Sequence, residues 1–152
     1  MEFRKGQGAT EYLVLLAVVL IIALVSIALL GFFPGLAGDA KITQSDSYWR
    51  GEARPFQIKD HVQSGTTLSL VMLNSESEAL TITAMAVGNG TIGNSTTITF
   101  AGGQQKTIGN FTGLTSCTAG DTYEYQVNIS YTTGSGLSKL EQGTKTLIGK
   151  CA

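Results

Sequence analysis

Two cysteines, one histidine and a few neighbouring carboxylates are the main groups in this sequence from which polar chemistry could be built. Cys117 and Cys151 form an even pair, which in a chain leaving the cytoplasm favours one disulfide over metal binding. Zinc would need further ligands, and the sole imidazole is His61. Nucleophilic catalysis needs a base within reach of an activated Ser or Cys, but His61 has only Asp60 beside it and no nucleophile motif. It reads as a surface histidine. Glu76 with Glu78, and Asp121 with Glu124, lack the ligand density of a calcium loop and read as solvated loop charges. The expectation is a protein that is not an enzyme and holds no metal or cofactor.

Two text motifs remain. Gly88-Asn89-Gly90-Thr91-Ile92-Gly93 spells the dinucleotide fingerprint, yet that loop works only when it opens a helix, and here Asn94-Ser95-Thr96-Thr97 leads into a strand. A β-turn is the expectation. Asn-x-Ser/Thr acceptors occur at Asn89, Asn94, Asn110 and Asn128. At least two of them are expected to carry glycans, and all but Asn128 fall in predicted turns or loops, where an acceptor is accessible.

The elements that must position these residues divide sharply by composition. Overall the chain has 152 residues, 43% apolar content and a net charge of −1. Its 10 basic and 11 acidic residues are scattered, so no nucleic-acid partner is expected. The apolar content is concentrated: over 12–33 only Ser26 and Gly31 stand outside the apolar set, whereas Thr, Ser, Gly, Asn and Gln dominate after Asp39.

After Asp39 the sequence reads as an extended connection with a first strand over 39–60, since Arg54-Pro55 argues against helix there. Further strands are expected at 66–73, 80–87, 96–100, 105–108, 122–131 and 143–148, each alternating apolar and polar residues and bounded by Gly, Asn or Asp turns. The clearest, 122–131, puts Tyr123, Tyr125, Val127, Ile129 and Tyr131 on one face. Those tyrosines read as core or rim packing, or as an aromatic ligand-binding strip. The fold class expected is α+β: a long hydrophobic N-terminal helix followed by a small antiparallel β-sandwich-like domain.

At 1.5 Å per residue the apolar run makes a helix of roughly 33 Å, enough to cross a hydrocarbon core of about 30 Å. Arg4 and Lys5 precede it and no positive charge follows until Lys41, which leaves the N-terminus in the cytoplasm and the rest outside. Phe33-Pro34-Gly35 offers a stop or kink at the far end. The plain readings are a single-pass anchor, a secretory signal cut after Gly35-Leu36-Ala37, or a buried helix of a soluble protein. The stretch exceeds a usual signal core and carries Glu11 at its entrance, and so small a polar domain could not cover it.

Lys5-Gly6-Gln7-Gly8-Ala9-Thr10-Glu11-Tyr12-Leu13 resembles the class III signal peptide of archaeal type IV pilins, in which a short basic leader ends in Gly and the mature chain opens with Gln. The stretch from Tyr48-Trp49-Arg50 to Ala53-Arg54-Pro55-Phe56 and the terminal Leu147-Ile148-Gly149-Lys150-Cys151 look similar to the same family. The resemblance implies a leader over 1–6 removed between Gly6 and Gln7, a retained hydrophobic core or transmembrane helix over 7–37, and an extracellular β domain over 38–152. Glu11 then becomes the fifth residue of the mature chain, and its implied role is assembly, paired with the amino group freed at Gln7 of a neighbouring subunit. The implied function is structural: a subunit of an extracellular pilus-like filament used in attachment, membrane-inserted before assembly. Its implied partners are further copies of itself, a prepilin peptidase, an assembly ATPase and a membrane platform. The alternative is a membrane-anchored surface domain that binds a ligand without polymerising.

Overall fold

A computed structural model describes residues 7–92, 97–109 and 111–152, with the backbone alone at 7 and 32–36. The chain forms two compact units, Met1–Ala40 and Lys41–Ala152. Helix α1, Gln7–Ser47, supplies all of the described part of the first unit and enters the second with its last turns. The architecture is α+β: an apolar N-terminal helix followed by antiparallel sheets.

Helix α1 corrects two expectations. It passes through Pro34, and the extended connection expected from Asp39 is instead helical. Proline removes one N–H and crowds one preceding carbonyl, a local loss. Ala37, Ala40, Lys41 and Gln44 favour helix after it. The stop comes at the second proline. A π-helical turn, Tyr48–Glu52, closes with Ala53 N–H donating to the Tyr48 carbonyl at 2.9 Å. Ala53 then turns extended, and Pro55 disfavours helix at Arg54.

Among the described residues ten strands follow: β1 Phe56–Ser64, β2 Thr67–Asn74, β3 Leu80–Val87, β4 Gly90–Ile92, β5 Ile98–Phe100, β6 Gln105–Ile108, β7 Thr122–Tyr125, β8 Val127–Thr133, β9 Ser138–Gln142 and β10 Leu147–Lys150. They form three sheets, ordered β1-β2-β6, β10-β7 and β4-β3-β8-β9, with β5 also on β3. All named strand pairs are antiparallel.

The expected strand over 122–131 is broken at Gln126. The Gln126 carbonyl accepts from Gly88 N–H at 2.8 Å and its amide side chain donates to the Gly143 carbonyl, so this residue serves a loop junction instead of a ladder. The side-chain alternation survives the break: Tyr123, Val127, Ile129 and Tyr131 are all buried.

The core of the second unit joins strand faces to the π-helical turn. Trp49, Phe56, Leu70, Met72, Phe100 and Ile129 are almost fully buried, each contributing about 1.5–3 kcal/mol by removal from water. Phe56 stands edge-on to Phe100 and to Tyr131, with ring centroids 5.4 and 5.6 Å apart. Gly143 leaves the space that the Trp49 ring occupies.

Candidate functional site

The apolar part of α1 has the composition of a surface meant to be covered. Gly8–Gly31 is long and apolar enough to cross a membrane, with a mean hydropathy of 3.4 and 0% of it buried within the chain. Large side chains are exposed all round it, from 43% at Leu16 to 66% at Tyr12 and Leu30. A helix lying on a soluble core shows a polar face and an apolar one, and this segment has no such division. Ser26, the hydroxyl within the run, donates to the Ile22 carbonyl one turn back at 2.7 Å. The remaining polar side chains of this stretch, Thr10, Glu11 and Tyr12, stand together at its entrance.

Gln7 and Glu11 fall one turn apart on the same helix, the spacing that places two residues on one face. Among the described residues the Glu11 carboxylate has no hydrogen-bond or ion-pair partner. Gly6, the other half of the expected cleavage site, lies outside the described residues.

In the second unit His61 is not the surface histidine that the sequence suggests. Its side chain is 7% exposed. Nδ1 lies 2.5 Å from the Tyr123 hydroxyl and Nε2 lies 3.3 Å from Asp46 Oδ1. Every polar atom of this set is satisfied when Tyr123 O–H donates to Nδ1 and Nε2–H donates to Asp46. Asp46 in turn faces Arg50 at 3.9 Å, and Tyr123 stacks on Tyr125 at 5.4 Å. Burial, with the nearby Tyr125, Asp46 and Asp60, pushes the Tyr123 hydroxyl far above its ordinary pKa. The phenol stays protonated, and the cluster acts as a clamp joining the end of α1, β1 and β7. Gly149 makes room for it: a Cβ there would lie 2.5 Å from the Tyr123 hydroxyl and 2.8 Å from His61 Cε1.

The β1 register explains why sequence reasoning missed this. Phe56 and Ile58 are buried, so strict alternation sends Asp60 and Val62 inward and His61 outward. A bulge between Ile58 and Asp60 reverses the phase. Val62 ends 45% exposed, and Gln63 is fully buried with its amide donating to the carbonyls of Gly65 and Thr115. A bulge leaves little compositional trace here.

Ser45 makes the second tie between α1 and the strands. Buried at 2% exposure, its hydroxyl donates to the Thr146 carbonyl at 2.8 Å and accepts from Ile148 N–H at 2.9 Å. A third polar tie links two sheets. Glu141 on β9 is 6% exposed, and its Oε2 accepts from Phe56 N–H on β1 at 3.0 Å, while Oε1 is buried with no partner among the described residues. Burial pushes this carboxyl up to about 7, against the opposing pull of the Phe56 N–H.

Cys117 and Cys151 form a disulfide, with their Cα atoms 5.9 Å apart across 34 residues of sequence. Of the candidate glycan acceptors, Asn89 is exposed in the turn between β3 and β4. Asn128 lies within β8 with its Oδ1 buried and without a hydrogen-bond partner among the described residues. Asn94 and Asn110 lie outside the described residues. Among the described residues no three His, Cys, Asp or Glu side chains gather as a metal site. No protein-family model matches the chain, and no curated protein matches it.

Proposed function

We propose that this chain is the structural subunit of an extracellular, archaeal type IV pilus-like filament that serves surface attachment. The observation that carries the reading is the helix over Gly8–Gly31, apolar on every side and covered by nothing in its own chain. In the precursor, lipid covers it. In the filament, like helices cover it in a central bundle, and the disulfide-closed β unit, with Asn89 exposed on it as a glycan acceptor, faces outward.

The energetics of this proposal fix what the assembly process must do. Lipid tails are as apolar as leucine, so exchanging lipid for neighbouring helices brings little hydrophobic gain, and packing and polar pairing decide the outcome. Extraction from the membrane therefore calls for an energy-driven machine: an assembly ATPase working through a membrane platform, after a prepilin peptidase has cut between Gly6 and Gln7. Once the filament is outside, loss of a subunit exposes the whole apolar run to water at about 0.8 kcal/mol per CH₂, so the fibre resists dissociation. Glu11 pairs with the amino group of Gln7 on a neighbour and sets the helix register.

Negative-stain electron microscopy of native material sheared from cells tests the proposal. Filaments whose intact mass matches this chain are expected. Membrane-bound monomer with no filament under any growth condition would favour the anchored, non-polymerising domain instead.

A further inference from the structure

A cavity of about 330 Å³ opens where Arg54-Pro55, the β2–β3 loop, β8 and β9 come together. Its buried lining is Pro55, Leu80, Tyr131 and Thr133. The Tyr131 ring is held edge-on against Phe56, so it is a fixed wall. Four exposed charged side chains also line it: Arg54 and Lys139 of one sign, Glu76 and Glu78 of the other. Among the described residues none of the four makes an ion pair or side-chain hydrogen bond, and the Tyr131 hydroxyl has no hydrogen-bond partner either. Burial and the carboxylates of Glu141, Glu76 and Glu78 raise that hydroxyl above its ordinary pKa, which keeps it a donor.

We propose that this cavity binds a neutral sugar residue of a glycan. The charges decide the class of ligand. Two carboxylates oppose a phosphate or sulfate, and two cations oppose a metal ion, so the lining as a whole favours neither sign. A sugar hydroxyl donates and accepts at once. Glu76 and Glu78 accept hydrogen bonds from its hydroxyls while Arg54 and Lys139 donate to its oxygens, and hydrogen bonds to charged groups are the stronger kind. Pro55 and Tyr131 are themselves buried, so they close the floor of the cavity and the sugar is held by its polar rim. The volume admits one sugar with water, and such sites commonly span about 300 Å³ or more. This inference goes beyond the filament reading and does not depend on it, since a monomeric surface domain would bind the same ligand. The sugar's source is either a foreign surface or a glycan on a second copy of this chain.

The test uses the full-length chain, produced without glycosylation and held in a polyoxyethylene detergent that contains no sugar. Saturation-transfer NMR is run against methyl glycosides of glucose, galactose, mannose, N-acetylglucosamine and N-acetylgalactosamine. Glycans released from the native chain, inorganic phosphate, calcium and glycine are run beside them. At least one neutral glycoside or released glycan is expected to bind, and both Arg54→Ala and Glu78→Gln are expected to weaken it about tenfold or more, equivalent to about 1.4 kcal/mol. Transfer from the released glycans assigns the source to a neighbouring copy, and transfer from the panel alone assigns it elsewhere. No transfer from any sugar, equal binding by wild type and both variants, or displacement of the sugar by phosphate, calcium or glycine each overturns the proposal.

Discussion

The Tyr123 hydroxyl and His61 Nδ1 lie 2.5 Å apart, and Gly149 leaves the opening that they fill. A methyl group at Gly149 would press on both partners at once. Overpacking of this kind costs about 1–3 kcal/mol. Gly149→Ala is therefore expected to lower the denaturation midpoint of the β unit, followed by tyrosine fluorescence and near-UV circular dichroism. Gly51→Ala is the comparison, because a Cβ there meets nothing within 4 Å. Equal midpoints for the two variants would show that the clamp yields without cost.

The same clamp marks where the sequence stops being informative. Composition reveals the apolar helix because more than twenty apolar residues in succession admit few structures. Alternation reveals β2 and β8 because their pattern runs uninterrupted. Two things are not written locally. The bulge in β1 turns His61 and Gln63 inward, and the docking of Trp49 and Ser45 holds the end of the helical segment against the strands. Both depend on partners distant in the chain, Tyr123 and Thr146, which no window around His61 or Ser45 contains. The carboxyl of Glu141 is equally hidden, since its neighbours Lys139, Leu140 and Gln142 read as an exposed edge.

Glu141 makes stability depend on pH. Its folded value of about 7 stands above the ordinary carboxyl value of 4.5, so folding retains a proton that the unfolded chain gives up. The group's contribution is fully present below about pH 4.5 and is lost as pH rises toward and through 7, a change on the order of 3 kcal/mol. Denaturant midpoints from about pH 4 to about pH 8 should fall across that window. Glu141→Gln keeps an acceptor for Phe56 N–H and removes the ionisation, so its midpoint should vary less with pH. An unchanged slope in the variant would assign the pH dependence to other groups.

The disulfide ties residues 34 apart and, in the chain-entropy view, closing such a loop contributes roughly 4 kcal/mol. Cys117 N–H also donates to the Gly65 carbonyl and Cys151 N–H to the Asp121 carbonyl, so the half-cystines are held by backbone bonds as well. The double variant Cys117→Ser, Cys151→Ser is expected to keep the strands while losing most of that stabilisation. Thiol titration of the unfolded, unreduced wild type should find no free sulfhydryl; two per chain would contradict the bridge.

Processing and decoration are read from one intact-mass and peptide-mapping experiment on native material. The mature chain should begin at Gln7. Glycan mass should appear on the Asn89 peptide, whose acceptor is exposed, in preference to the Asn128 peptide, whose Oδ1 is buried in β8. Retention of Met1, or a start near Gly38, would leave no free amine at Gln7 and contradict the proposed pairing with Glu11. Unmodified peptides at Asn89, Asn94, Asn110 and Asn128 alike would dismiss the glycans.

Glu11 carries the most specific expectation about assembly. It stands at the entrance of the apolar span, and its carboxylate has no partner among the described residues. An unpaired charge at membrane depth costs on the order of 3 kcal/mol, so a partner from outside the chain has a large effect on where the helix settles. Glu11→Gln keeps the shape and removes the charge, which lowers the cost of membrane residence and abolishes attraction to a neighbour's amine. In the proposed filament both changes favour the membrane-bound precursor over the helix bundle. The β unit has its own core, at Trp49, Phe56 and Ile129, and its own disulfide, so its folding should be unaffected. Cells carrying Glu11→Gln should therefore accumulate processed, disulfide-bonded subunit in the membrane while sheared filament falls by about tenfold or more, the equivalent of losing about 1.4 kcal/mol of pairing per subunit. Filament at wild-type yield, with subunit levels matched by immunoblot, would show that register is set by packing alone.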